Sequence, residues 1–181
     1  MIITVTGLPG SGNSSMAKML AKELGYKHYS AGDMRRQLAK ENGITLAELN
    51  KIGETESWTD VDVDNKLIAM GKNEDDFVLD AKIAEYLVPH AFKIFLTASL
   101  HERARRIFSV KRDEEKYHSI EEVETSLLAR VECDKRRYKK YYDINAYDEN
   151  NFDFILDTTN IPIEKVFEII LKKVKEVKEN I

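Results

Sequence analysis

The chain has 181 residues, 43% of them hydrophobic and 33% charged, with 28 basic and 32 acidic side chains and a net charge of -4. That length suits one compact α/β domain over residues 1–181 and is too short for two full domains. The acidic balance argues against bulk nucleic-acid binding, the single cysteine, Cys133, excludes an intrachain disulfide and a multi-cysteine zinc site, and no run approaches the roughly 20 apolar residues of a membrane span. The opening stretch, Met1 to Val5, lacks a basic region and is too short to act as a signal peptide. A cytoplasmic monomer is expected, without nucleic-acid or membrane partners, and Cys133 is expected to be a small core residue.

In chain order, residues 2–6 form a short β-branched run that stops at Gly7, which predicts a buried strand. Residues 14–24 carry Met16, Ala17, Met19, Leu20 and Leu24 at helical spacing, and Gly25 closes that helix. His28-Tyr29 is a short second strand, and Gly32 to Lys40 a helix ending near Asn42-Gly43. Leu46–Ile52 and Val61–Met70 are two further helical pieces. Phe77 to Leu79 is a strand ending on Asp80, and Phe92 to Leu96 another, followed by a helix from Leu100 to Phe108. Residues 109–118 are polar and read as a loop or short lid. A long helix follows from Ile120 to Tyr141, then a strand at Phe152–Leu156, a turn at Thr158-Thr159-Asn160 and a last helix over 162–178. Strands alternating with helices predict a three-layer α/β fold, a parallel five-stranded sheet covered on both faces with right-handed crossovers.

Gly7-Leu8-Pro9-Gly10-Ser11-Gly12-Asn13-Ser14-Ser15 lies directly between the first strand and the first helix. It matches the GxxxxGK[ST] phosphate loop at all positions but one. Glycines let backbone N–H groups surround phosphate oxygens, and the following helix points its positive end at them. Ser14 stands where a hydroxyl would ligand Mg²⁺. The departure is Asn13, because the usual lysine sets a positive charge against the β and γ phosphates. Asparagine can donate a hydrogen bond but carries no charge, so either another cation compensates or turnover is weakened.

Tyr29-Ser30-Ala31-Gly32-Asp33-Met34-Arg35-Arg36 follows the second strand. This stretch resembles the nucleoside monophosphate kinases, where it reads STGDxxR and the arginine grips the acceptor phosphate. The resemblance assigns that role to Arg36, with Ser30, Gly32 and Asp33 beside it. A guanidinium makes two parallel bonds to a phosphate. Phe77-Val78-Leu79-Asp80 ends in a carboxylate where P-loop kinases hold the Asp that orients Mg²⁺, often through water. Asp80-Ala81-Lys82 is similar to that family's [DE]-G-R segment, with Ala81 for Gly and Lys82 for Arg. Lys82 keeps the charge and loses the planar fork.

The segment from Lys93 to Arg106 resembles that of cytidylate kinases, and Arg103 and Arg106 share one helix face. Arg130, Asp134 and Arg137 fall on one face of the long helix, the R-x3-D-x2-R arrangement that the cytidylate kinases place beside the lid. By that resemblance the arginines meet phosphates and Asp134 helps arrange the acceptor nucleotide; Arg136, one step off, faces solvent. The similarity is closest to the archaeal-type cytidylate kinases, which commonly carry threonine at the place of Asn13.

The resemblance implies ATP as donor, Mg²⁺ held through Ser14 and Asp80, and CMP or dCMP as acceptor. Arg36, Lys82 and Arg137 would hold the acceptor phosphate, and Arg103, Arg106 and Arg130 would neutralise the transferred group. An acceptor segment over about 30–70 and a lid over about 107–120 are expected, with Thr158 to Asn160 near the adenine. The competing readings are an adenylate kinase or other small-molecule kinase on the same fold, and a nucleotide-binding protein weakened by Asn13, Ala81 and Lys82. Glu54, Glu56, Asp60, Asp62 and Asp64 around Trp58 read as a solvated acidic helix start, with contacts to the acceptor base as the alternative. The tyrosines at 138–147 read as packing groups.

Overall fold

The computed structural model describes residues 1–110 and 117–180. It contains β1 (Ile3–Gly7), α1 (Asn13–Leu24), β2 (Lys27–Ser30), α2 (Ala31–Glu41), α3 (Leu46–Ile52), α4 (Trp58–Asn73), β3 (Phe77–Asp80), α5 (Ala84–Leu87), β4 (Phe92–Thr97), α6 (Leu100–Ser109), α7 (Ile120–Tyr142), β5 (Phe154–Asp157) and α8 (Ile163–Glu179). The five strands form one sheet in the order β2-β3-β1-β4-β5, and each pairing is parallel. The expected architecture is therefore present. The polar stretch expected as a lid lies for the most part outside the described residues. Among the described residues, no helix is long and apolar enough to cross a membrane.

Period-two alternation along β1 sends its side chains to two different cores. Ile3 and Val5 pack with Met16 and Leu20 of α1 and with Val166, Ile170 and Val174 of α8. On the opposite face, Phe77, Leu79 and Phe95 meet Val63 and Leu67 of α4, Ala84 and Leu87 of α5, and Tyr138 of α7. Helices on both faces leave the sheet's carboxyl ends as the open edge, where parallel α/β sheets bind ligands. A third cluster, Ala104, Val123 and Leu127 with Leu100, Ile107 and Ile120, joins α6 to α7.

The helix starts follow from local capping chemistry. Ser30 caps α2, Ser99 caps α6 and Ser119 caps α7, each accepting from the amide three residues on. Thr45 and Glu48 form a reciprocal capping box on α3. Two elements were not foreseen, α5 and a 3-10 turn at Glu149–Asn151; four and three residues are too few to display a period. The last strand begins at Phe154 rather than Phe152, because Phe152 turns into the core against Phe95, 4.8 Å between ring centroids.

Glu85 on α5 is buried at 8% exposure. The Thr6 hydroxyl donates to the Ala81 carbonyl at 2.8 Å and lies 3.4 Å from Oε2 of Glu85. Burial pushes the Glu85 carboxyl up from 4.5 to about 7. A carboxyl whose folded value is raised supports the fold fully below its unfolded value and loses that support as pH rises through the folded one. Glu85→Gln is therefore expected to match the parent near pH 4 and to exceed it at pH 8 by up to about 3 kcal/mol. Urea melts of both proteins at the two pH values check this, and equal differences at both would refute it.

Candidate active site

One open cleft of about 1380 Å³ runs along the carboxyl edge of the sheet. Drug-sized pockets are typically about 300–1,000 Å³, so this one has room for two small-molecule ligands at once. Of the residues nominated for phosphate, acceptor or magnesium binding, all but Leu8 and Arg103 line it, and of the expected adenine contacts Thr158 lines it while Thr159 and Asn160 do not. Leu8 packs against the core on the α4 side instead.

At one end is the loop from β1 to α1. Gly10 and Gly12 have φ of 87° and 102°, a region that suits glycine. Gly12 caps α1 without a side-chain bond, so the first-turn N–H groups of that helix remain available to an anion. Ser11 is tucked in at 2% exposure, its hydroxyl donating to the Leu8 carbonyl at 2.7 Å and contacting Oδ1 of Asn13 at 2.7 Å. Nδ2 of Asn13 donates to the Gly7 carbonyl at 3.0 Å. The Asn13 side chain therefore cross-braces the loop and adds no charge to it.

Two arginines expected to face the transferred group hold the loop from behind. Arg103 is 6% exposed; it donates to the Ala98 carbonyl at 3.0 Å and the Pro9 carbonyl at 3.3 Å. Its placement corrects the expectation: backbone carbonyls occupy the guanidinium, and a Cβ on Gly10 would sit 2.9 Å from the Arg103 carbonyl oxygen. Arg106 does reach the cleft wall, but it donates to the Ser11 carbonyl at 3.4 Å, to Thr158 Oγ1 at 2.9 Å and to the Thr158 carbonyl at 2.6 Å. Thr158 is 1% exposed and ties the β5 turn to the phosphate loop. Asn160 is exposed and does not line the cleft.

Between the two ends, Asp80 and Ser14 share the floor. Burial raises the Asp80 carboxyl above its ordinary value, opposed by a hydrogen bond from Ser14. Magnesium in phosphoryl-transfer sites takes one or two protein oxygens and fills its shell with phosphate and water. An adjacent hydroxyl and carboxylate fit that requirement.

At the far end, charges interlock. Lys82 Nζ lies 2.5 Å from Asp134 Oδ1, and Tyr147 donates to Asp134 Oδ2 at 2.8 Å. Burial pushes Lys82 down to about 8; Asp134 opposes that shift, while Arg130 and Arg137 add to it. Burial would raise Asp134, but the charges of Lys82 and Arg137 and the hydrogen bonds from Lys82 and Tyr147 together outweigh it and hold the carboxyl below its ordinary value. Arg137 is 6% exposed, 3.2 Å from Asp134 and 3.6 Å from Asp60, and its Nε has no hydrogen-bond partner among the described residues. Arg36 pairs with Asp33 at 2.6 Å on the exposed lip, and Arg130 lies exposed on the α7 wall. Arg136 faces solvent as expected. Ala81 is 7% exposed and packs in the core, so its methyl is accommodated. Cys133 is half-buried on the cleft wall rather than in the core.

Asp60 and Asp64, read from the sequence as solvated, are buried at 3% and 8% exposure. Asp60 pairs with Arg35, which also donates to the Thr59 carbonyl at 2.8 Å and to Asn50 at 3.0 Å. Asp64 accepts from Tyr142 at 2.6 Å, and burial pushes its carboxyl up to about 6. The sequence reading passed over Arg35, Asn50, Tyr142 and Tyr147 as site residues. The one local signal was the four-residue spacing of Asp60 and Asp64 with Val63 and Leu67, which places the carboxylates beside a buried stripe.

A parallel sheet carrying a phosphate loop at the end of its central strand, facing a cluster of cations across one cleft, defines a P-loop kinase. Solved structures agree on the fold: shikimate kinase from Bacteroides thetaiotaomicron superposes with a TM-score of 0.67 at 15% identity, covering 99% of this chain and 98% of that one. A protein of unassigned function from Eubacterium ventriosum gives 0.69 at 17% identity, covering 97% and 98%. The sequence model of the Cytidylate kinase-like family matches residues 2–160, and the chain belongs to that family. The cytidylate kinase of Haloarcula marismortui is 37% identical over 177 residues, 97% of this chain and 90% of that one. That of Methanocella arvoryzae is 34% identical over 179 residues, 99% of each. The activity class is that of the nucleoside monophosphate kinases.

Proposed function

We propose that the protein transfers the γ-phosphoryl group of ATP to CMP or dCMP. The observation that carries this is the single cleft joining the phosphate loop to the cluster of Arg36, Lys82, Arg130, Asp134 and Arg137, with Asp80 and Ser14 between. The loop amides and the start of α1 hold the donor phosphates. Arg36, Lys82 and Arg137 hold the acceptor phosphate, and Arg130 faces the charge that develops during transfer. Ser14 and Asp80 would hold Mg²⁺, which when bound offsets charge on the donor phosphates. An acceptor phosphate oxygen attacks the γ-phosphorus and ADP leaves, so the protein's work is positioning and preorganised charge.

The base preference rests on Asp60 and Asp64, which face the cleft beside Leu46 and Asn50. A carboxylate accepts from the 4-amino group of cytosine and opposes the carbonyl that uracil carries there. Curated relatives named cytidylate kinases support the same choice. A second reading, a nucleotide-binding protein with weak transfer, is favoured by Asn13, whose side chain is engaged by the Ser11 hydroxyl and the Gly7 carbonyl of the loop.

A coupled ADP-release assay with ATP, Mg²⁺ and CMP, dCMP, UMP or AMP separates these. Turnover with CMP or dCMP at least about tenfold above UMP and AMP is expected, the scale of roughly one well-made polar contact. Binding of ATP without transfer to any acceptor would establish the second reading instead.

A further inference from the structure

We propose that Lys18 supplies to the donor phosphates the positive charge that the phosphate loop itself lacks. This rests on the kinase reading above and adds a residue to it. The loop's own candidate is excluded by geometry, because Asn13 is uncharged and both ends of its amide are engaged by Gly7 and Ser11. A cation from another position is needed if the β and γ phosphates are to be neutralised as in other phosphate loops.

Among the described residues, nine cationic side chains line the cleft. Most are already committed. Arg106 is held by Ser11, Thr158 and Glu102, and Arg105 by Glu102. Lys82 and Arg137 are paired with Asp134, Arg35 with Asp60, and Arg36 with Asp33. Among the described residues, Lys18, Lys51 and Arg130 form no ion pair. Lys51 stands on α3, beside α4, the helix that carries Asp60 and Asp64. Arg130 stands on α7 and acts on Lys82. Lys18 alone of the three stands on α1, the helix that begins in the loop.

Its position suits the task. Lys18 follows Ser14 by four residues, so the two share one face of α1. Helical side chains lean toward the N-terminus, which carries the long lysine arm back over Ser14 toward the first turn. Its charge is felt at Asp80, where it favours the carboxylate, and at His28, which it helps hold below its ordinary value. Lys18 therefore stands on the side of the loop where Ser14 and Asp80 meet. The exposed ammonium keeps its hydration until a phosphate arrives, so holding it there costs the free protein little.

The test uses Lys18→Met, Lys18→Arg and the double variant Asn13→Lys/Lys18→Met in the full chain. Lys18→Met is expected to lower kcat/KM for ATP on the order of 100-fold, as removal of a transition-state charge donor does, with a melting temperature close to the parent's because Lys18 is exposed and forms no hydrogen bond or ion pair among the described residues. Lys18→Arg should retain activity within about tenfold, since it keeps the charge. Asn13→Lys, placed in the Lys18→Met background, should recover most of the loss, an outcome that a merely structural role for Lys18 would not produce. Activity of Lys18→Met within about twofold of the parent overturns the inference and leaves the kinase reading standing. Should the parent transfer to none of the four acceptors, the kinase reading falls. Lys18 is then judged by titration calorimetry of ATP with MgCl₂: about tenfold weaker binding in Lys18→Met sustains it, and unchanged binding rejects it.

Discussion

Gly7→Ala is expected to abolish nucleotide binding and to lower the melting temperature by roughly 6–12 °C. A Cβ at this position would lie 2.1 Å from the Leu96 carbonyl oxygen and 2.5 Å from Oδ1 of Asn13. Gly7 is in register with Leu96 in the β1–β4 pairing, and the same carbonyl accepts from the Leu8 amide at 3.1 Å. Neither strand can yield without losing ladder bonds in the middle of the sheet, so the cost falls at about 3 kcal/mol or more, the upper end for overpacking. Asn13 would also be displaced, and with it the brace across the loop. Gly12→Ala is the control: no heavy atom lies within 4 Å of its Cβ, and its left-handed backbone predicts a milder loss of about 1–2 kcal/mol. Thermal melts and ATP titrations of the two variants check the contrast. Equal losses would refute the Leu96 contact as the reason that Gly7 is required.

Arg137→Met is expected to cost both stability and transfer. Removing one member of a buried charge network typically costs about 3–5 kcal/mol, because it leaves a buried charge unpaired. Here Asp60 keeps Arg35 and Asp134 keeps Lys82 and Tyr147, so the loss should fall near the lower bound, about 3 kcal/mol. Adding Asp60→Asn should return part of it by removing one of the two carboxylates left behind. Turnover should fall roughly 1000-fold, the lower end for a phosphate-facing arginine, and Asp60→Asn should leave that loss in place. Urea melts and steady-state kinetics on the single and double variants separate the two effects. Recovery of turnover together with stability would assign Arg137 to the scaffold alone.

Much of this was legible because it is written locally. A β-branched run halted by glycine, followed by a helical pattern, states strand, loop and helix within 24 residues, and the glycine spacing states what the loop is for. The Leu46–Ile52 helix has the expected limits, and its stops are local: Thr45 and Glu48 cap its start and Gly53 its end. Asp60 and Asp64 went the other way. An acidic run at a helix start is solvated by default, and nothing within α4 itself reveals Arg35, Arg137 or Tyr142, the last 78 positions away along the chain. Arg103 was misassigned for the same reason. Its spacing with Arg106 is real, but the Pro9 carbonyl that accepts from it is 94 positions away.

By itself, then, the sequence determined the α/β alternation, the phosphate loop with its missing lysine, and the residue types that a phosphoryl-transfer site requires. Hydrophobic period, glycine backbone freedom and capping are properties of neighbours in the chain, and they act before any distant contact forms. Only the tertiary structure decided the strand order, the use of Arg103 and Arg106 as braces, the burial of Asp60 and Asp64, and which cations of the cleft have no ion pair among the described residues. Whether a charged side chain is solvated, paired or held against a substrate depends on the low-dielectric surroundings and counter-charges brought to it by other elements, and those are assembled only when the helices close over the sheet.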